Sequence, residues 1–329
     1  MKRNELRLRI FEEHTPESFL QLALDIFNYQ FENNTYYRTF VEGCKVNPES
    51  VKQLSDIPFL PVELFKSNEI KTGDFQEQAI FLSSGTTGSV SSKHFVKELD
   101  LYEESFIRTF RFFYGEPEDF VFLALLPSYL ERSGSSLIYM MEKLISESKD
   151  LRSGFFLNEF DKLKSLLMKL RAENKNVVLI GVTYALLDFA DLYSLSFPEL
   201  NVMETGGMKG KRKEMIRTEV HEILKPAFGV KSIHSEYGMT ELLSQAYSKG
   251  DGIFHSPPWM RILIRELNDP LQTAEMGKSG AVNVIDLANL DSCAFIATQD
   301  LGVAHSPTSF EIIGRFDFSD IRGCNLMVE

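Results

Sequence analysis

Between about residues 78 and 228, short apolar runs alternate with amphipathic stretches, and this alternation constrains the fold more than any other feature of the chain. Ala79 to Leu82, Val121 to Leu126, Phe155 to Leu157, Val177 to Gly181 and Val202 to Glu204 read as strands. Glu98 to Phe113, Ser135 to Ile145, Phe160 to Leu170, Ala185 to Tyr193 and the charge-rich Lys211 to Leu224 read as the helices that follow them. Strands alternating with helices predict parallel strands joined by crossovers, an α/β layered fold. After about residue 230 helices become scarce, and Ile262 to Ile264, Ala281 to Ile285, Ala294 to Ile296 and Phe310 to Ile313 read as short strands. The expected organisation is an α/β region over 1–230 and a smaller strand-rich subdomain over 231–329. Ahead of the alternation, Thr15-Pro16-Glu17 is a helix start, followed by Phe19, Leu22, Ala23, Ile26 and Phe27 at helical spacing. The Pro-punctuated stretch 57–66 is predicted to be a connector outside regular elements.

Composition narrows the function classes. The chain has 329 residues and a formal net charge of −12, which argues against a nucleic-acid partner. No apolar run approaches the roughly 20 residues of a membrane-spanning helix, so no membrane span is expected. The opening Met-Lys-Arg-Asn-Glu-Leu lacks the apolar region of a signal peptide. Cys44, Cys293 and Cys324 are widely spaced with no C-x-x-C pair. Neither a zinc site nor a disulfide framework is indicated, and the expected location is cytoplasmic. The 27 phenylalanines point to large apolar cores.

Four segments carry candidate chemistry. Ser83-Ser84-Gly85-Thr86-Thr87-Gly88 follows a predicted strand. Its glycines permit positive φ, and successive N–H groups and hydroxyls in such a turn can cradle phosphate oxygens. It lacks the Lys of a P-loop, and on composition alone it is equally a Ser/Gly turn. Ser235 to Glu241 ends a strand run with Tyr237, Gly238, Thr240 and Glu241. A carboxylate beside phosphates serves Mg²⁺, whereas read alone Glu241 is an exposed helix-start residue. Asp300, at a predicted strand end, suits a ribose diol or a plain turn. The segment Gly314 to Leu326 concentrates Arg315, Asp317, Arg322 and Cys324 near the end of the sequence.

In this order the segments resemble the signatures of the adenylate-forming superfamily, which includes acyl-CoA synthetases, peptide-synthetase adenylation domains and luciferases. The resemblance implies the layered α/β-α N-terminal-type domain of those enzymes, with a small β-rich subdomain at its C-terminal end. It also implies ATP bound with Mg²⁺. Residues 83–88 would hold the phosphates, Gly206 and Gly207 would pack near adenine, and Thr240 would contact the α-phosphate region. Glu241 would hold the metal, Tyr237 and Gly238 would complete its motif, and Asp300 and Arg315 would meet the ribose. Leu126 to Arg132 and the Arg322-Gly323-Cys324-Asn325-Leu326 ending are similar to the LuxE-type acyl-protein synthetase branch. There a Cys near the C-terminus accepts the acyl group, a role that falls on Cys324. The Ser-Ser-Gly-Thr-Thr-Gly loop and the Pro-Phe-Leu-Pro connector give a more distant resemblance to phenylacetate-CoA ligases.

The implied reaction has two halves: a carboxylic acid, by the resemblance a fatty acid, attacks ATP to give acyl-AMP, and a thiol then takes the acyl group. The acyl group would pass to an acceptor protein such as an acyl reductase or carrier. A CoA or carrier-loading ligase, or a non-enzymatic protein on the same fold, are the alternatives. The sequence ends just after the hinge motif, where most relatives add a small domain bearing a catalytic Lys. Lys93, Lys66 or Lys209 is expected to supply that charge, and Lys93 is taken as the catalytic candidate. His94 is placed to contact phosphate or substrate, and Cys44 and Cys293 are read as ordinary buried residues.

Overall fold

The computed structural model describes residues 2–83, 90–126, 134–208, 210–267, 269 and 271–315. Helix α1 spans Arg3–Arg9, α2 Pro16–Asn33 and α3 Thr35–Gly43. The Thr15 hydroxyl caps α2 by accepting from Ser18 N at 3.2 Å, and Pro16 fills the first turn, where its missing N–H costs nothing. The predicted apolar stripe Phe19, Leu22, Ala23, Ile26 and Phe27 is buried.

The central α/β alternation follows the sequence closely. Strands β4 (Phe120–Leu125), β5 (Gly154–Phe156), β6 (Asn176–Val182) and β7 (Asn201–Thr205) alternate with α5 (Leu99–Tyr114), α6 (Ser136–Glu147), α7 (Phe160–Ala172), α8 (Thr183–Leu192) and α9 (Arg217–Phe228). Strand β8 (His234–Tyr237) follows α9, and the parallel order is β5-β4-β6-β7-β8. All six residues of β4 are buried, as expected for a parallel strand covered by helices on both faces.

Beyond β8 the pairing turns antiparallel through β9 (Ala246–Ser248), β10 (Ile253–His255), β14 (Ser309–Arg315), β13 (Phe295–Ser306), β12 (Ser279–Asp286) and β11 (Met260–Arg265). Among the described residues twelve strands thus share one sheet, the twelfth being β1 (Leu60–Pro61) against β13. A separate hairpin, β2 (Ala79–Leu82) with β3 (Lys93–Val96), brackets the hydroxyl-rich loop, and a short helix α4 spans Leu64–Ser67. The phenylalanines go largely to the core, where Phe110 packs on Phe120 and Phe122 at 5.5 and 5.2 Å and Phe189 stacks on Phe228 at 5.4 Å. No helix among the described residues is long and apolar enough to cross a membrane.

Three expectations need correction. Ala79 to Leu82, read with the parallel strands, instead pairs antiparallel with β3 outside the main sheet, because Lys93 to Val96 returns directly beside it with no crossover helix between them. The connector 57–66 is not free of regular structure, because Leu60 and Pro61 pair in parallel with Ile296 and Ala297. Proline is tolerated there because the strand is two residues long and hangs off the side of the sheet, while Val62 N supplies the next bond to Ala297 O at 3.0 Å. The helix expected over Lys211–Leu224 begins instead at Arg217, where the Glu219 carboxylate accepts from Ile216 N at 3.2 Å and fixes the first turn. It runs past Pro226 to Gly229, whose φ of 68° ends it. A Cβ at Gly229 would lie 2.8 Å from Leu195 O, so the left-handed turn and the close approach both require glycine.

Candidate active site

In open α/β sheets ligands bind beyond the carboxyl ends of the parallel strands, where the strand order switches. Here β8 pairs in parallel with β7 and antiparallel with β9, so the switch falls on the strand that ends in Tyr237-Gly238. Gly206 and Gly207 leave the neighbouring β7 with φ of 74° and 69°, both exposed.

Strand register assembles one half of the site. Asp300 on β13 lies opposite Arg315 on β14. The Tyr237 hydroxyl donates to Asp300 Oδ2 at 2.8 Å, and Arg315 Nε lies 3.5 Å from Oδ1. Phe254 and Phe310 flank the Tyr237 ring at 5.8 and 5.5 Å and fix its direction. Burial pushes the Asp300 carboxyl above its ordinary range, opposed by Arg315 and the Tyr237 hydroxyl. Arg315 itself is 65 % exposed, so its guanidinium faces solvent above a buried carboxylate.

The other half is Glu241, only 4 % exposed. Burial raises its carboxyl, while the Ser92 hydroxyl, its own N–H, Arg315 and Lys66 oppose the rise. Arg315 therefore acts on both Asp300 and Glu241. Ser92 ties Glu241 to the hydroxyl-rich loop. Ser92 N donates to Ser83 Oγ at 2.8 Å, and Ser83 N to Ser92 O at 3.1 Å, closing the stem of that loop. Ser84, Gly85, Thr86, Thr87 and Gly88 lie outside the described residues, as do Asp317, Arg322, Cys324, Lys209 and the stretch 127–132.

The segment after Glu241 is held tightly. Leu243 N and Ser244 N donate to Asp286 Oδ2 at 2.8 and 2.9 Å, and Ser244 Oγ donates to Oδ1 at 2.6 Å. His94, expected to contact phosphate or substrate, is turned into the interior instead: it is buried, donates from Nδ1 to the Thr240 carbonyl at 2.8 Å, and sets Nε2 3.0 Å from Asn289 Oδ1. Alternation into β3 explains the difference: Ser92 and His94 are buried, and Lys93 between them is exposed. Thr240 is half-buried. Lys66, on α4, is exposed, and its charge favours the ionised Glu241.

Two buried carboxyls escaped the motif reading. Burial alone would raise Glu204, but His221, Arg217 and Ser235 outweigh it and hold the group at about 2. Arg217 Nε lies 3.2 Å from Glu204 Oε1, and its Nη1 donates to Ile312 O at 3.1 Å, so one side chain joins β7 to β14. Glu236 accepts from Thr205 Oγ1 at 2.7 Å, yet burial and the Glu204 charge push it up to about 7. The charge of Arg217 and its place in a predicted helix were visible in the sequence, but its pairing with Glu204 is set by how that helix packs on β7. Of the described cysteines, Cys293 is fully buried and pushed up to about 12, and Cys44 is also raised by burial, so both are poor nucleophiles.

A lone buried carboxylate with a hydroxyl partner fits Mg²⁺, which takes one or two protein carboxylates and completes its shell with water and phosphate. Asp300 and the exposed turn Gly206-Gly207 fit a nucleoside: the first as a diol acceptor, the second as a flat backbone surface.

Known proteins share this fold. The fold is similar to that of 2-hydroxyisobutyryl-CoA ligase in complex with 2-HIB-AMP and CoA, with a TM-score of 0.65 at 15% identity over 94% of this chain and 71% of that one. It is also similar to ATP-bound MatB from Rhodopseudomonas palustris, with a TM-score of 0.55 at 16% identity over 82% of this chain. The chain spans about half the length of an ATP-bound RpMatB-BxBclM chimera, covering 48% of it at a TM-score of 0.55. These likenesses show the fold of the adenylate-forming enzymes. In sequence, the chain is 25% identical over 332 residues to the long-chain-fatty-acid–luciferin-component ligase of Vibrio harveyi, covering 93% of this chain and 86% of that protein. It is 32% identical over 69 residues to the Photorhabdus luminescens protein of the same name, covering 21% of this chain and 59% of that protein. The family model described as acyl-protein synthetase, LuxE, matches residues 138–329, more than half of the sequence and all of the segment from β5 through Arg315, so the chain belongs to the LuxE acyl-protein synthetase family.

Proposed function

We propose that the protein activates a carboxylic acid with ATP to an acyl adenylate and transfers the acyl group to a thiol. One observation carries the reading: the stem of the hydroxyl-rich loop closes through Ser83 and Ser92 against Glu241, and Arg315 bears on both Glu241 and Asp300. That the loop stem, Glu241 and Asp300 are linked in this way supports reading them as one nucleotide site.

In the first half-reaction the acid's carboxylate oxygen bonds to the α-phosphorus and pyrophosphate leaves. Positioning and charge neutralisation dominate such a step. Asp300 accepts from the ribose hydroxyls, with Tyr237 fixing its orientation. Gly206 and Gly207 let the backbone approach the base. Thr240 donates to the α-phosphate, and Arg315, Lys66 and Lys93 supply positive charge around it. Mg²⁺ on Glu241, when bound, neutralises phosphate charge, and its field favours the ionised form of that carboxyl. In the second half-reaction a thiolate bonds to the acyl carbon and AMP leaves. We assign the thiol to Cys324 and the final acceptor to a partner protein, an acyl reductase or carrier. The name of the Vibrio harveyi relative supports a long-chain fatty acid as substrate. CoA as acceptor is the second reading, favoured by the fold shared with 2-hydroxyisobutyryl-CoA ligase.

The test uses radiolabelled fatty acid, ATP and Mg²⁺. Label should remain on the denatured protein and be released by hydroxylamine, and Cys324→Ser should abolish it while acid-dependent pyrophosphate exchange persists. Label that appears only on added CoA, unaffected by Cys324→Ser, would replace this reading with the second one.

A further inference from the structure

Thr240 and Glu241 are held from behind as well as along the strand. The His94 Nδ1–H donates to the Thr240 carbonyl at 2.8 Å, and Asn289 Nδ2 donates to the Glu241 carbonyl at 2.7 Å. The two side chains lie side by side, with His94 Nε2 3.0 Å from Asn289 Oδ1, and so reach two consecutive peptide groups from the same side. Each is anchored independently. His94 sits on β3 opposite Phe81, two residues beyond the Ser92 that closes the loop stem. Its ring packs edge-on against Phe65 at 6.1 Å. Asn289 is fixed through its own backbone, where Gln30 Nε2 donates to Asn289 O at 3.0 Å and to Leu290 O at 2.9 Å. All three polar side chains are buried.

We propose that His94 and Asn289 are positioning residues for adenylation: they couple the strand leaving the hydroxyl-rich loop to the Thr240–Glu241 peptides, so that the phosphate loop and the metal carboxylate keep one geometry. The inference rests on the proposed reaction and deepens it. A buried core histidine could sit anywhere in the interior. This one spends its donor on the carbonyl directly before Glu241, and its partner spends an amide donor on the next carbonyl. With both carbonyls held, Glu241 keeps its place beside Ser92, the residue just before β3, whose hydroxyl favours the ionised carboxyl. A buried carbonyl that loses its donor seeks another partner, and the turn carrying Glu241 rotates with it.

The test compares His94→Leu, which deletes both contacts, with His94→Asn, whose amide nitrogen takes the position of Nδ1. Asn289→Ala, which leaves β3 untouched, is read beside them. Acid-dependent pyrophosphate exchange should fall about tenfold or more in kcat for His94→Leu, with a raised half-saturating Mg²⁺ and little change in KM for the acid. His94→Asn should recover to within about threefold of the wild type, and Asn289→Ala should shift the Mg²⁺ dependence in the same direction as His94→Leu. Deuterium uptake of the 239–243 backbone should rise in His94→Leu and Asn289→Ala and stay low in His94→Asn. An Asn variant no better than Leu, or a Mg²⁺ dependence that does not move, overturns the proposal. If the wild type exchanges no pyrophosphate with any acid, the adenylation reading falls by itself, and the deuterium uptake still decides whether the pair holds the turn.

Discussion

Glu236 stores a pH-dependent cost in the middle of the sheet. Its carboxyl is enclosed, with one hydrogen bond from Thr205 and the negative Glu204 on the neighbouring strand, and burial lifts it from 4.5 to about 7. Because the folded value is raised above the unfolded one, the contribution is fully favourable below about 4.5 and is lost as pH rises to about 7. A gap from 4.5 to about 7 corresponds to roughly 3 kcal/mol at pH 8. Glu236→Gln keeps the shape and the acceptor for Thr205 and removes the charge. It should therefore stabilise the protein by up to about 3 kcal/mol at pH 8 and hardly at all at pH 5. With about 2 cal/mol/K of unfolding entropy per residue, that is a rise in Tm of about 4 °C at pH 8. Differential scanning calorimetry of both proteins across pH 5 to 8 reads this directly. An equal Tm difference at every pH, or a variant less stable at pH 8, would refute the reasoning.

Other consequences follow from named contacts. Tyr237→Phe keeps the ring between Phe254 and Phe310 but removes the donor on Asp300, so KM for ATP should rise about tenfold; since that donor lowers the Asp300 carboxyl, the acid limb of the ATP kcat/KM profile should also move to higher pH. Arg217→Met leaves Glu204 without its guanidinium and β14 without its link to β7, and urea unfolding should show a loss of about 3 kcal/mol, full above about pH 4.5 and shrinking as pH falls toward 2. Gly229→Ala should cost about 2 kcal/mol by the same measurement, because its φ is positive and the added carbon meets Leu195 O.

Much of the α/β region was legible because its signals are local. β4 is a continuous apolar run of six residues and β6 holds the buried run Val177 to Val182, and the helices between them carry apolar stripes at helical spacing. The elements the sequence hid are short or polar. α1 buries only Leu6, so it shows no period, and β9 is Ala-Tyr-Ser, a strand made by its neighbours in the sheet and not by its own pattern. β3, Lys-His-Phe-Val, is too short to separate from the loop before it. The candidate site divides in the same way. Tyr237, Thr240, Glu241, Asp300 and Arg315 stood out because each lies in a compact run of chemically distinctive residues. Ser92, Asn289, Glu204 and Arg217 did not, since their partners are far along the chain: Asn289 meets His94 across 195 positions and Arg217 reaches Ile312 across 95. Only strand order and register bring such residues together.

The central claim is that one nucleotide spans Gly206-Gly207, Asp300 and Thr240-Glu241 at the carboxyl edge of the parallel strands. A crystal structure with a non-hydrolysable acyl-sulfamoyl adenosine tests it most directly. The account predicts the ribose hydroxyls on Asp300, the sulfamoyl group beside Thr240 and the adenine against Gly206 and Gly207. An analogue bound elsewhere on the protein, or with its ribose away from Asp300, would contradict it.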